Sequence, residues 1–185
     1  MTVRKRLRRW ETAGFVFVCA AGTLLQFLYR WTGENTPVAA FASVNESTWE
    51  HMKILYLPYF VFTMLQFAAF AEPLRNYFAV KAAAGLAGTL LIPVVFYTVT
   101  GMFGEPEAWF NIALFYGAAA ATYLLSDHLL RRGALRAPWM QGVGFALLWA
   151  LALLFVYLTW HAPRLPLFRD PLTGGYGIPT PAGAP

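Results

Sequence analysis

Arg4-Lys5-Arg6-Leu7-Arg8-Arg9 is followed, after Trp10 and Glu11, by Thr12-Ala13-Gly14-Phe15-Val16-Phe17-Val18-Cys19-Ala20-Ala21-Gly22-Thr23-Leu24-Leu25. A basic cluster ahead of an uncharged apolar run of this length reads as a membrane crossing with its cytoplasmic anchor. A helical crossing takes roughly 20 apolar residues, and windows of about that length recur at 12–31, 48–71, 78–101, 109–127 and 139–161. They are continuous apolar runs rather than ten-residue alternations, which excludes a transmembrane β-barrel. The expected fold is therefore all-α. It is an integral membrane bundle of five transmembrane helices over residues 1–161, with an ordered Pro/Gly-rich outer C-terminal cap and tail over 162–185.

Composition agrees with that reading. Of the 185 residues, 58% are hydrophobic and 12% are charged, a balance that leaves apolar mass for lipid to cover. Cys19 is the single cysteine, so neither an internal disulfide nor a cysteine-rich metal site is available. The formal net charge of +5 does not imply a nucleic-acid partner, because the basic residues gather at helix ends instead of lining one face. Membrane lipids are the partner that composition requires.

Charge asymmetry orients the chain in the cell membrane, with the N-terminus cytoplasmic and the C-terminus extracytoplasmic. Besides the N-terminal cluster, Arg75 and Lys81 follow the second window and Arg131, Arg132 and Arg136 follow the fourth, whereas Glu105 and Glu107 lie between the third and fourth. Trp10, Trp31, Trp49, Trp109, Trp139 and Trp160 fall near window ends, where indole rings favour the headgroup level. Ala40-Phe41-Ala42 has a signal-cleavage pattern but lies too far beyond the first apolar run, so that run is expected to remain as a helix. Pro58 and Pro93 fall inside windows two and three, and Ala84 with Gly88 and Gly117 with Ala121 form small-residue pairs suited to close helix approach.

One stretch is chemically dense for a membrane protein: Val44-Asn45-Glu46-Ser47-Thr48-Trp49-Glu50-His51-Met52-Lys53, at the start of the second window. Ionisable residues at membrane depth are costly, and their presence points to a site. At 100° per residue Glu46, Glu50 and Lys53 fall within about 60° of one another, and His51 points elsewhere. Ser47 and Glu50 have the spacing of a capping box, the competing structural explanation. Arg30 ends the first window one turn from Gln26 and offers a counter-charge to Glu46 or Glu50. Half of the 12 prolines lie beyond His161, so the tail cannot form a sixth helix. Leu165, Leu167, Phe168 and Tyr176 give the tail anchors, and residues 161–178 are expected to fold over the same outer face, with His161, Arg169 and Asp170 near the second helix.

The Val44-Asn45-Glu46-Ser47, Trp49-Glu50-His51, Lys53 string followed by Pro58 resembles the signature of a family of small bacterial multi-pass membrane proteins of unknown function. The closing Pro166-Leu167-Phe168-Arg169-Asp170-Pro171 and Gly174, Tyr176, Gly177 are similar to that family's C-terminal end. The resemblance implies a membrane protein of the same build and carries over no activity. Where that family has a histidine near the end of its first helix, this chain has Gln26.

The leading expectation is an outward-facing polar pocket that binds a small molecule, an ion or a lipid headgroup. It would be built from Asn45, Glu46, Glu50, His51, Lys53 and Arg30 and covered by His161, Arg169 and Asp170. The alternatives are a membrane-embedded enzyme acting on a lipid-like substrate, with Glu50 or His51 as base or metal ligand, and a structural subunit of a membrane complex. No motif specifies a cofactor, a metal or catalytic residues, and an oligomer is compatible with the small-residue faces. Whichever holds, Glu50 is expected to lie against Lys53 or Arg30, since a carboxylate in lipid needs a partner.

Overall fold

A computed structural model describes residues 3–69, 74–104 and 107–178. The chain is all-helical, in the order α1 (Val3–Trp31), the short α2 (Thr36–Ala39), α3 (Thr48–Ala69), α4 (Tyr77–Phe103), α5 (Ala108–Arg132), α6 (Pro138–Trp160) and a single 3₁₀ turn at Pro166–Phe168. Five of these helices, all but α2, are long and apolar enough to cross a membrane. Glu105, Pro106 and residues 179–185, and with them any expectation for the end of the tail, lie outside the described residues.

Helix α1 begins at Val3, earlier than the apolar window, because its basic segment is itself amphipathic. Leu7 is buried against Tyr77, Val80 and Leu130, and the long arginine and lysine stems are good helix formers. Helix α5 likewise runs through its basic end to Arg132, and α2 starts where Pro37 presets the first helical turn.

Helix α3 is the hub. It contacts α1, α4, α5, α6 and the 3₁₀ turn, and 61% of its apolar window is buried inside the bundle, against 22–33% for the other four spans. Around it α1 packs on α5, α5 on α4 and α4 on α6. In lipid the drive for this packing is van der Waals fit, and small residues set the closest approaches. A Cβ at Gly144 of α6 would lie 2.6 Å from the backbone nitrogen of Ala79, so α4 and α6 touch main chain to main chain. Gly88 seats the Thr122 side chain in the α4–α5 contact, whereas Gly117, the other marked glycine, faces open space.

The tail lies over the α3 entrance. Trp49 sits between Phe155 of α6 and Phe168 of the 3₁₀ turn, both ring centroids 4.5 Å away. Trp49 is thus an internal anchor for the tail, while Trp31, Trp109, Trp139 and Trp160 keep exposed rings at helix ends, as interfacial residues do. Arg169 and Tyr176 form an isolated antiparallel bridge that folds the tail back on itself.

Candidate functional site

The dense motif divides into an internal half and a surface half. Helix α3 starts only at Thr48, so Glu46 belongs to the preceding loop and the helical spacing that grouped it with Glu50 does not apply. Glu50 and Lys53 turn inward and are 2% and 0% exposed, their charged atoms 2.6 Å apart. The Lys53 ammonium has three protons, and three acceptors surround it: Glu50 Oε2, the Ala39 carbonyl at 3.0 Å and Thr159 Oγ1 at 3.0 Å. Glu50 Oε2 also accepts from the Val44 amide at 3.1 Å. Lys53 therefore ties α2, α3 and α6 together and has no donor left for a ligand.

The cap at the α3 entrance is a variant of the expected box. Ser47 Oγ accepts from the Glu50 amide at 3.4 Å, but the Ser47 amide donates to Asn45 Oδ1 at 2.9 Å, the role the box would give to Glu50. Asn45 Nδ2 donates to the Gly177 carbonyl at 2.8 Å, and so binds the tail to the loop. Glu50 is released from capping by Asn45 and is committed to Lys53.

Glu46 and His51 face the other way. Gln26 Nε2 donates to both Glu46 carboxylate oxygens at 3.0 and 2.9 Å, and Arg30 reaches one of them at 3.4 Å. The Arg30 side chain is 62% exposed, so that contact is a solvated ion pair of small value. His51 Nδ1 lies 2.9 Å from the Ser47 carbonyl, which can only accept, so the hydrogen is on Nδ1. The other ring nitrogen, Nε2, is 3.9 Å from Glu46 Oε2.

Glu46 and His51 open onto a cleft of about 680 Å³ between the α3 entrance, the ends of α4 and α5 and the tail. Arg169 enters its lining from the tail. Thr100 and Asn111 add polar groups, and Ile92, Phe96, Leu114 and Phe115 form an apolar wall. Of the residues singled out in the sequence, this cleft collects Glu46, His51 and Arg169. Asn45, Glu50 and Lys53 build the support behind it, and Arg30 reaches it only through Glu46. Asp170 is buried in a turn of the tail, where it accepts from the Leu172 amide and the Thr173 hydroxyl. His161 stacks on Tyr157 at 4.3 Å and is exposed. Among the described residues no three His, Cys, Asp or Glu side chains gather in a metal-binding group.

A second charged constellation, at the opposite end of the bundle, escaped sequence reading. Lys81, counted above with the basic connecting segments, lies fully buried in α4, and its Nζ is 2.7 and 3.0 Å from the two carboxylate oxygens of Glu11 in α1. Gln66 of α3 donates to Glu11 at 2.8 Å, and the Tyr77 hydroxyl donates to the Thr63 carbonyl at 2.7 Å with Gln66 Oε1 at 3.2 Å. The rings of Tyr59, Tyr77 and Tyr123 surround the ammonium at 5.3–5.8 Å, within cation–π range. The signal for it was present: Glu11 is the one acidic residue before Glu34, and it precedes an uncharged run.

Neither a curated protein nor a solved structure matches the chain. A family model does match, over residues 1–178, and by that match the chain belongs to DUF6512, a family of unknown function.

Proposed function

We propose that this multi-pass membrane protein binds an amphiphilic small molecule, a lipid being the simplest, in the cleft where Glu46, His51 and Arg169 meet the apolar wall of α4 and α5. The observation that carries the reading is that composition: polar groups from the loop, α3 and the tail adjoin a wall of Ile92, Phe96, Leu114 and Phe115 that suits an acyl chain. The basic N-terminal segment and Arg131, Arg132 and Arg136 favour the cytoplasm for the other end, which turns the cleft towards the outer leaflet.

Native mass spectrometry of the protein purified in mild detergent tests this. A bound species of lipid mass is expected in the wild type and should fall about tenfold in occupancy in Glu46→Gln and Arg169→Met. Retention of the same occupancy in both variants, or no bound amphiphile after reconstitution with total membrane lipid, would sink the reading. A second reading, an enzyme acting on a lipid-like substrate, is favoured by His51: with Nδ1–H fixed by Ser47, Nε2 presents a lone pair to the cleft, as a general base must. Chemical change of the bound lipid, lost in His51→Gln, would select it.

A further inference from the structure

The geometry of Glu46 and His51 narrows the ligand class, on the premise that the cleft does bind an amphiphile. With one hydrogen committed to the Ser47 carbonyl, the uncharged form of His51 would direct the Nε2 lone pair at the cleft, 3.9 Å from Glu46 Oε2. Two acceptors at that separation are too far apart to bond and repel unless a hydrogen lies between them. Either the imidazole takes a second proton, or a ligand brings a donor to both. The donors already on Glu46, from Gln26 Nε2 and from the largely solvated Arg30, both approach from α1, and among the described residues Glu46 is the one polar neighbour of His51 Nε2.

A group that satisfies both acceptors is small, cationic and rich in N–H: a primary ammonium. It can donate one hydrogen to Glu46 and another to His51 Nε2 and is attracted by the carboxylate charge. Arg169, on the tail's part of the lining, is the complementary group for an anion, since a guanidinium matches phosphate or carboxylate geometry. Ammonium, anion and acyl chain in one molecule describe an amino-phospholipid headgroup. We infer that the cleft formed by Glu46, His51 and Arg169 selects a lipid with a primary ammonium and a phosphate, of the phosphoethanolamine type, over lipids whose headgroup lacks N–H donors.

The discriminating comparison is phosphatidylethanolamine against phosphatidylcholine, which share phosphate, charge and chains and differ in the three N–H bonds that trimethylation removes. Hydrogen bonds to charged groups are individually strong enough that their loss should weaken binding about tenfold or more. The measurement is lipid titration of the full chain in detergent, read by native mass spectrometry, with phosphatidylglycerol as the third arm. Phosphatidylethanolamine bound about tenfold more tightly than both others supports the inference, as does collapse of that preference in Glu46→Gln. Phosphatidylcholine or phosphatidylglycerol bound as well as phosphatidylethanolamine overturns it and leaves the amphiphile reading standing. No saturable binding of any of the three overturns both. The wild-type comparison decides without any variant, so a folding defect in Glu46→Gln cannot mask the result.

Discussion

Lys81→Met removes the ammonium from the Glu11 constellation while keeping an unbranched stem in the space between Tyr59, Tyr77 and Tyr123. Among the described residues Glu11, 4% exposed, then keeps the Gln66 donor at 2.8 Å and is left near the electron-rich rings that had surrounded the ammonium. Breaking a buried pair by removing one partner costs about 3–5 kcal/mol, because the remaining charge is left uncompensated. At roughly 2–4 °C per kcal/mol for a chain of this size, the melting temperature should fall by ~6–20 °C. The double variant Glu11→Leu with Lys81→Met removes both charges and should recover most of that loss, since a buried pair exchanged for apolar groups is often neutral. The chain supplies its own reporter: Cys19 is the single cysteine and is partly buried in α1, so a thiol-reactive dye fluoresces as the bundle opens. A Lys81→Met protein that melts within about 2 °C of wild type, or a double variant less stable than either single one, would refute the claim that this pair clamps α1 to α4.

Main-chain contact between α4 and α6 makes Gly144→Ala destabilising by about 1–3 kcal/mol, because the added methyl meets backbone that cannot rotate away, whereas Gly117→Ala, facing open space, should leave the melt unchanged. Trp49→Ala removes the ring between Phe155 and Phe168 and should cost about 3–5 kcal/mol while exposing the tail. Limited trypsin digestion followed by mass spectrometry should then show cleavage at Arg164 and Arg169 at protease levels that spare the wild type. Asn45→Ala leaves the Ser47 amide and the Gly177 carbonyl without their partner, a loss of about 1–2 kcal/mol, and hydrogen exchange at the Ser47 amide should accelerate.

The five crossings could be read from the sequence because lipid imposes one rule on every span: roughly 20 apolar residues, with all backbone groups bonded inside the helix. Pairing of Glu50 with Lys53 could also be anticipated, since i and i+3 share a helix face. The partner of Lys81 was hidden for the opposite reason. Glu11 lies 70 residues away on another helix, and their meeting depends on how α1 packs against α4. Charge counting assigned Lys81 to a connecting segment, and only burial distinguishes the two. Glu46 was misplaced by treating the motif as helical from its first residue. Once α3 begins at Thr48, the loop turns Glu46 towards Gln26 and Arg30, and it shares the cleft with His51 instead of facing inward with Glu50. Thr100 and Asn111 carried no signal, because single polar residues near helix ends are ordinary in a membrane protein.

The split between Glu46 and Glu50 also explains why so polar a loop is tolerable at a helix entrance in a membrane. A carboxylate and an ammonium buried at 2% and 0% exposure add little net stability, since desolvation cancels much of their attraction. What they add is position. Lys53 holds the Ala39 carbonyl and Thr159, Glu50 holds the Val44 amide, and Asn45 holds both the Ser47 amide and the tail at Gly177, so the loop is fixed from behind at every turn. Ser47 in turn fixes the His51 ring through its carbonyl. A helix cap alone would require Ser47 and one acidic partner. The additional anchors hold Glu46 and His51 at a fixed separation beside the cleft, the preorganisation that the proposed ligand binding would use.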